Sequence, residues 1–139
     1  MARPVRTYLQ LHLPDGWLPA AGSDTPIRWS RRTGVRVEDG ADALADIAPA
    51  EEIAVVIPAT RATFVRATLP ALRGAALAKL LPFAVEDAVF SAPEEIHAVL
   101  LMRAPDGESL VAVVERGWFE GMLETLREED LAPGRVIVE

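Results

Sequence analysis

Apolar and polar residues alternate near the start of the chain: Leu9, Leu11 and Leu13 share one side of an extended segment, and Tyr8, Gln10 and His12 the other. That period of two predicts a half-buried strand over Thr7–Leu13. Pro14-Asp15-Gly16 supplies turn chemistry, and a loop rich in Pro, Ala and Gly follows to Thr25. Ile27–Ser30 and Val35–Glu38 read as two further strands joined by a hairpin near Thr33-Gly34. Asp42 is placed to cap a short helix through Ile47, which Pro49 ends. Ile53–Ile57 is an unbroken apolar run, the pattern of a strand covered on both faces.

Alternation returns over Phe64–Leu69, with Arg66 and Thr68 on one face and Val65, Ala67 and Leu69 on the other. From Leu72 to Phe90 the period changes. Leu77, Leu80, Leu81, Ala84, Val85 and Ala88 recur at helical spacing, which predicts a helix with one apolar stripe. Pro82 lies inside it; lacking an N–H and crowding the preceding turn, it is expected to kink or break the helix. His97–Met102 and Leu110–Val114 read as strands around the hairpin signal Pro105-Asp106-Gly107. Trp118–Glu129 reads as a second helix with Phe119, Met122, Leu123 and Leu126 on its apolar stripe and Glu120, Glu124 and Glu128 on a solvated face. Pro133-Gly134 closes that helix and Arg135–Val138 begins a last strand. An apolar strand at a chain terminus needs a paired neighbour, so the sequence reads as a piece of something longer.

Composition narrows the class. The 139 residues are 50% hydrophobic and 25% charged, enough to build a core and too apolar for a disordered tail. With no cysteine, disulfides, thiolate metal sites and cysteine nucleophiles are excluded. A net charge of −7 argues against nucleic acid as the main partner. The charge is nonetheless uneven: Arg28, Arg31, Arg32 and Arg36 cluster without an intervening acid, whereas Glu86, Asp87, Glu94 and Glu95 cluster without a base. The first residues lack the apolar core of a signal peptide, and no apolar run approaches the roughly 20 residues of a membrane span. A soluble, cytoplasmic chain is the expectation.

Candidate chemistry is sparse. Glu86 and Asp87 fall at the C-terminal end of the predicted helix, where the macrodipole disfavours negative charge. They are either a docking patch for a basic partner or a solvated helix end. As adjacent helical residues they point about 100° apart and cannot converge on one bond. The arginines around Trp29 suit an anionic surface, or equally a charged edge that blocks unwanted strand pairing. His12 and His97 stand far apart without ligand spacing, so no zinc site is expected; His97 reads as a half-buried histidine bonded to a neighbour. Phosphate-loop, dinucleotide and G-x-S-x-G motifs are absent. A magnesium-dependent hydrolase would have only Asp15, Glu38 and Glu52 as loose candidates, with no supporting spacing.

The run V-I-P-A-T-R-A-T-F-V-R-A-T-L-P over Val56–Pro70, then L-L-P-F-A-V-E-D and E-E-I-H, resembles the cytoplasmic domain of type II secretion system protein L, and V-A-V-V-E-R-G-W-F-E-G-M-L-E-T-L resembles the segment that follows it in that family. The resemblance covers Glu52–Glu139. It implies an α+β chain: the first half of an actin-like, ribonuclease-H-like domain with an inserted strand-helix-strand-strand module, as in cell-division and pilus relatives. Residues 1–59 would open the actin-like subdomain, 60–115 would be the insert, and 116–139 the return helix and strand. The remaining half, a single membrane span and a periplasmic domain would lie outside this chain. The family resemblance implies a non-enzymatic scaffold at the cytoplasmic face of the bacterial inner membrane. It would recruit the secretion ATPase, protein E, and meet platform proteins M and F, with a homodimer also compatible. No nucleic acid, small-molecule substrate, metal or cofactor is expected. Contact candidates are Arg66, Glu86, Asp87, Glu94 and Glu95, with Arg28, Arg31, Arg32 and Arg36 as a second patch. Active actin-like enzymes place a lysine-bearing phosphate loop after the first strand; here Asp15 and Gly16 stand there with no Lys or Thr at the right distance. A nucleotide-binding or ribonuclease-H-like enzyme and a type IV pilus protein M-like adaptor are the alternatives.

Overall fold

The computed structural model describes residues 6–19 and 24–139; the N-terminal reading over residues 1–5 and the middle of the Pro-, Ala- and Gly-rich loop lie outside the described residues. In chain order the elements are β1 (Thr7–His12), β2 (Ile27–Thr33), β3 (Arg36–Asp42), β4 (Glu52–Ile57), β5 (Ala62–Thr68), α1 (Gly74–Val89), β6 (Ile96–Arg103), β7 (Glu108–Glu115), α2 (Arg116–Glu128) and β8 (Arg135–Val138). They form two compact units, Met1–Ala59 with Glu120–Glu139, and Thr60–Phe119.

The first unit holds a five-stranded sheet in the order β3-β2-β1-β4-β8. β1 runs antiparallel to β2 and parallel to β4, β2 antiparallel to β3, and β4 parallel to β8. Only β2 runs against the other four strands. Register explains the burial. Leu9 and Leu11 stand opposite Ile53 and Val55 on one face and are fully shielded, whereas Tyr8, Gln10 and His12 on the other face are half-exposed. Ile53–Ile57 is buried throughout, as an unbroken apolar run in a central strand requires.

Two local expectations fail here. The β2–β3 hairpin is longer than the alternation suggests, because strand pairing carries through polar residues from Ile27↔Asp42 to Thr33↔Arg36. Asp42 therefore belongs to β3 and caps nothing. Its carboxylate accepts a hydrogen bond from the Trp29 indole Nε1 at 2.8 Å, and the expected helix is a single 3-10 turn, Leu44–Asp46, preceded by Ala43. A carboxylate with a cross-strand donor in reach has no call to turn toward free amides.

The second unit is a strand-helix-strand-strand module: an antiparallel sheet, β5-β7-β6, with α1 packed on one face. Val65, Leu69, Ile96, Val111 and Val113 supply the sheet side of its core, and Leu77, Leu81 and Val85 the helix side. The β6–β7 hairpin turns at Pro105-Asp106-Gly107, where Gly107 N–H donates to Ala104 O and Glu108 N–H to Asp106 Oδ1, each at 2.9 Å. Pro82 does not break α1, which runs unbroken over Gly74–Val89. Leu81 and Val85 on either side are locked into the core, and the carbonyl that loses its donor belongs to exposed Ala78, where water can serve it.

Candidate interaction surface

α1 has two unlike faces. Leu77, Leu81 and Val85 face the sheet, at steps of four residues. At 100° per residue the opposite side carries Ala76, Lys79, Phe83, Glu86 and Asp87. Phe83 is 61% exposed, and Phe90, the C-cap, is 95% exposed. Phe90 takes the left-handed conformation, φ 55° and ψ 29°, with its N–H donating to Glu86 O at 3.1 Å. The last turn of α1 contains no base to offset Glu86 and Asp87, and Glu94 and Glu95 follow in the 3-10 turn Pro93–Glu95. Among the described residues none of these four acids takes part in an ion pair. Sequence reading singled out the acids but not the two phenylalanines. The available signal was the phase of Phe83, which lies opposite the Leu77–Leu81–Val85 stripe.

The structure does not bring Arg66 to that surface. On β5 it alternates with Val65 and Ala67, which face α1, so Arg66 projects from the uncovered side of the sheet opposite Leu110. There it neighbours a second exposed apolar area that includes Phe64, Val99 and Met102. A further hollow of about 530 Å³ lies beside Leu69, Arg73 and Arg103. The Arg103 guanidinium is committed there to backbone carbonyls, donating to Leu72 O at 2.9 Å and Pro70 O at 2.6 Å.

The arginine patch divides across the first unit's sheet. Arg28 and Arg32 share one face, where Arg32 lies 5.7 Å from the Tyr8 ring centroid. Arg31 is on the other, 5.6 Å from the Trp29 ring and donating to the Ala48 and Pro49 carbonyls. Arg36 pairs with Glu38 at 3.0 Å. Trp29 itself lies across Gly40, where a β-carbon would come within 2.6 Å of the indole. Three of these four cations are thus engaged, Arg36 within the hairpin, Arg31 with the loop before β4 and Arg32 with β1, and Arg28 is left exposed.

Asp15, Glu38 and Glu52 do not converge. Glu52 stands opposite Tyr8 at the start of β1 and pairs with Arg6 at 3.0 Å; Asp15 is in the turn beyond the other end of β1; Glu38 is on the edge strand β3. Among the described residues no group of three or more acids, histidines or cysteines is arranged to hold a metal. His97 stacks on Phe119, ring centroids 4.3 Å apart and planes 10° apart, and His12 lies 3.9 Å from a Glu139 carboxylate oxygen. No helix among the described residues is long and apolar enough to cross a membrane.

A family model for protein L of the type II secretion system matches residues 29–139. The chain belongs to that family. Its fold is similar to the cytoplasmic domain of EpsL, an inner-membrane component of the Vibrio cholerae type II secretion system, with TM-score 0.69 and 20% identity over 95% of this chain and 57% of that one. It is also similar to the PilM–PilN type IV pilus biogenesis complex, with TM-score 0.60 and 14% identity over 98% of this chain and 48% of the matched chain. A weaker likeness, TM-score 0.48 at 10% identity, is to a Bacteroides thetaiotaomicron protein of unknown function described as having an actin-like ATPase fold. The chain thus spans about half the length of the structures it matches. No curated protein matches it in sequence.

Proposed function

We propose that this chain is a non-enzymatic scaffold of the type II secretion platform, at the cytoplasmic face of the inner membrane. It holds the secretion ATPase, protein E, and links it to proteins M and F. The observation that carries the reading is the C-terminal end of α1 and the turn after it, where Glu86, Asp87, Glu94 and Glu95 have no paired cation among the described residues, in a unit built around its own core. Glu86 and Asp87, in the last turn of α1, are unfavourable in the free protein by about 0.3–1 kcal/mol each, a cost that a partner's lysines or arginines would relieve. Membership of the protein L family supports this reading, in which the clients of such a surface are other platform proteins.

A pull-down with purified protein E tests this. Glu86→Lys with Asp87→Lys should weaken capture strongly, because it replaces attraction by like-charge repulsion. Undiminished capture would move the contact elsewhere, with Arg66 on the open sheet face and the Arg28 hairpin as the next surfaces to reverse.

A further inference from the structure

Phe90 departs from what a free helix end needs. A C-cap in the left-handed region is ordinarily glycine, because a β-carbon there crowds the backbone. Here the position is filled by a phenylalanine at φ 55° that is 95% exposed, so the ring gains no burial in compensation. Phe83, on the same outward side of α1, is 61% exposed. Backbone strain and exposed aromatic area thus coincide on one side of α1, which also carries Glu86 and Asp87, and Glu94 and Glu95 follow in the next turn of the chain. Exposed apolar area with a polar rim is characteristic of protein-binding sites, and aromatic anchors carry most of the energy of such contacts.

We propose that Phe83 and Phe90 are the anchors of a docking ridge whose occupant is a basic, amphipathic protein segment: an apolar cleft to take the two rings, with lysines or arginines meeting Glu86, Asp87, Glu94 and Glu95. This rests on the reading that the second unit is where protein E docks, and adds which residues supply the affinity and what the partner must present. Charge selects the occupant. A second copy docking through the same ridge would set these acids against their equivalents, and like charges across an interface oppose association. An anionic membrane surface is disfavoured for the same reason. Lys79 lies one turn before Phe83 on this face, so the negative end is the C-terminal one, and the partner's cations should gather there.

The test measures binding of purified protein E to the chain by calorimetry at low and at high salt. The ridge predicts that Phe83→Ser and Phe90→Gly each weaken binding roughly tenfold or more. Glu86→Lys with Asp87→Lys should weaken it mainly at low salt, where charge is least screened. Phe90→Gly carries a second signature: it removes the left-handed strain, so the free variant should melt a few degrees higher while binding worse. If wild type binds and both phenylalanine variants bind equally well, the ridge is wrong and the adaptor reading stands. Absence of wild-type binding overturns the adaptor reading and the ridge with it. Self-association that Phe83→Ser abolishes would replace the basic partner by a second copy and overturn the assignment.

Discussion

At the scale of single residues, most of the specificity sits where a side chain is missing or misplaced. Gly107 has φ +88°, and a β-carbon there would come within 2.8 Å of the Leu69 carbonyl oxygen. That approach exists because Leu69 N–H donates to Gly107 O at 2.9 Å, fastening the end of β5 to the β6–β7 turn. Gly107→Ala must therefore either clash or give up the bond, in addition to adopting a strained backbone. The expected loss is about 2–3 kcal/mol of second-unit stability, read by chemical denaturation. A loss of only a few tenths would mean the turn moves aside without penalty, and that the fastening adds little. Gly40 is the converse case, flat against Trp29, and it accounts for an indole lying along an otherwise polar hairpin.

Elements were legible in proportion to how far periodicity alone dictates them. β1, β4 and β7 could be read because alternation or an unbroken apolar run fixes which faces are covered. The β2–β3 ladder was underestimated because strand pairing needs only backbone, and its outer residues Arg36, Val37, Glu38 and Asp39 are exposed and carry no pattern. Stripe phase was also readable only in part. Ala84 and Ala88 fit the predicted α1 stripe yet are exposed, and in α2 the buried residues are Trp118, Met122, Thr125 and Leu126, a face turned slightly from the predicted one. For the candidate site, charge runs were visible in sequence, but the separation of Arg66 from the acids and the exposure of Phe83 and Phe90 depend on which face α1 covers. Pro82 offers the matching test. Its ring removes a hydrogen bond in an unbroken helix, and an alanine there should restore it. Pro82→Ala is expected to stabilise the second unit by about 1–3 kcal/mol. A fall in melting temperature would instead mean that Leu81 and Val85 reach the sheet only because the proline bends the helix.

At the scale of the whole molecule, the chain is two units of different construction rather than one graded core. The first is a mixed sheet whose central strands, β1 and β4, are bordered by parallel or antiparallel neighbours on both sides, which places their amides among the hardest to open. The second is a small antiparallel sheet with a helix on one face and an uncovered apolar area on the other. The proposed scaffold role fits that division, since a second unit with its own core can be strained at its surface without disturbing the first unit's sheet. Leu81→Ala exposes whether the division is energetic as well as geometric. The side chain is 4% exposed and central to the second unit's core, so truncation should cost about 2–5 kcal/mol. Hydrogen exchange under native conditions should then show faster exchange in β5, α1, β6 and β7, while the amides of β1 and β4 keep wild-type protection. If protection falls by the same amount in all eight strands, the two units open as one cooperative body, and surface strain at Phe90 would weaken the entire fold rather than the second unit alone.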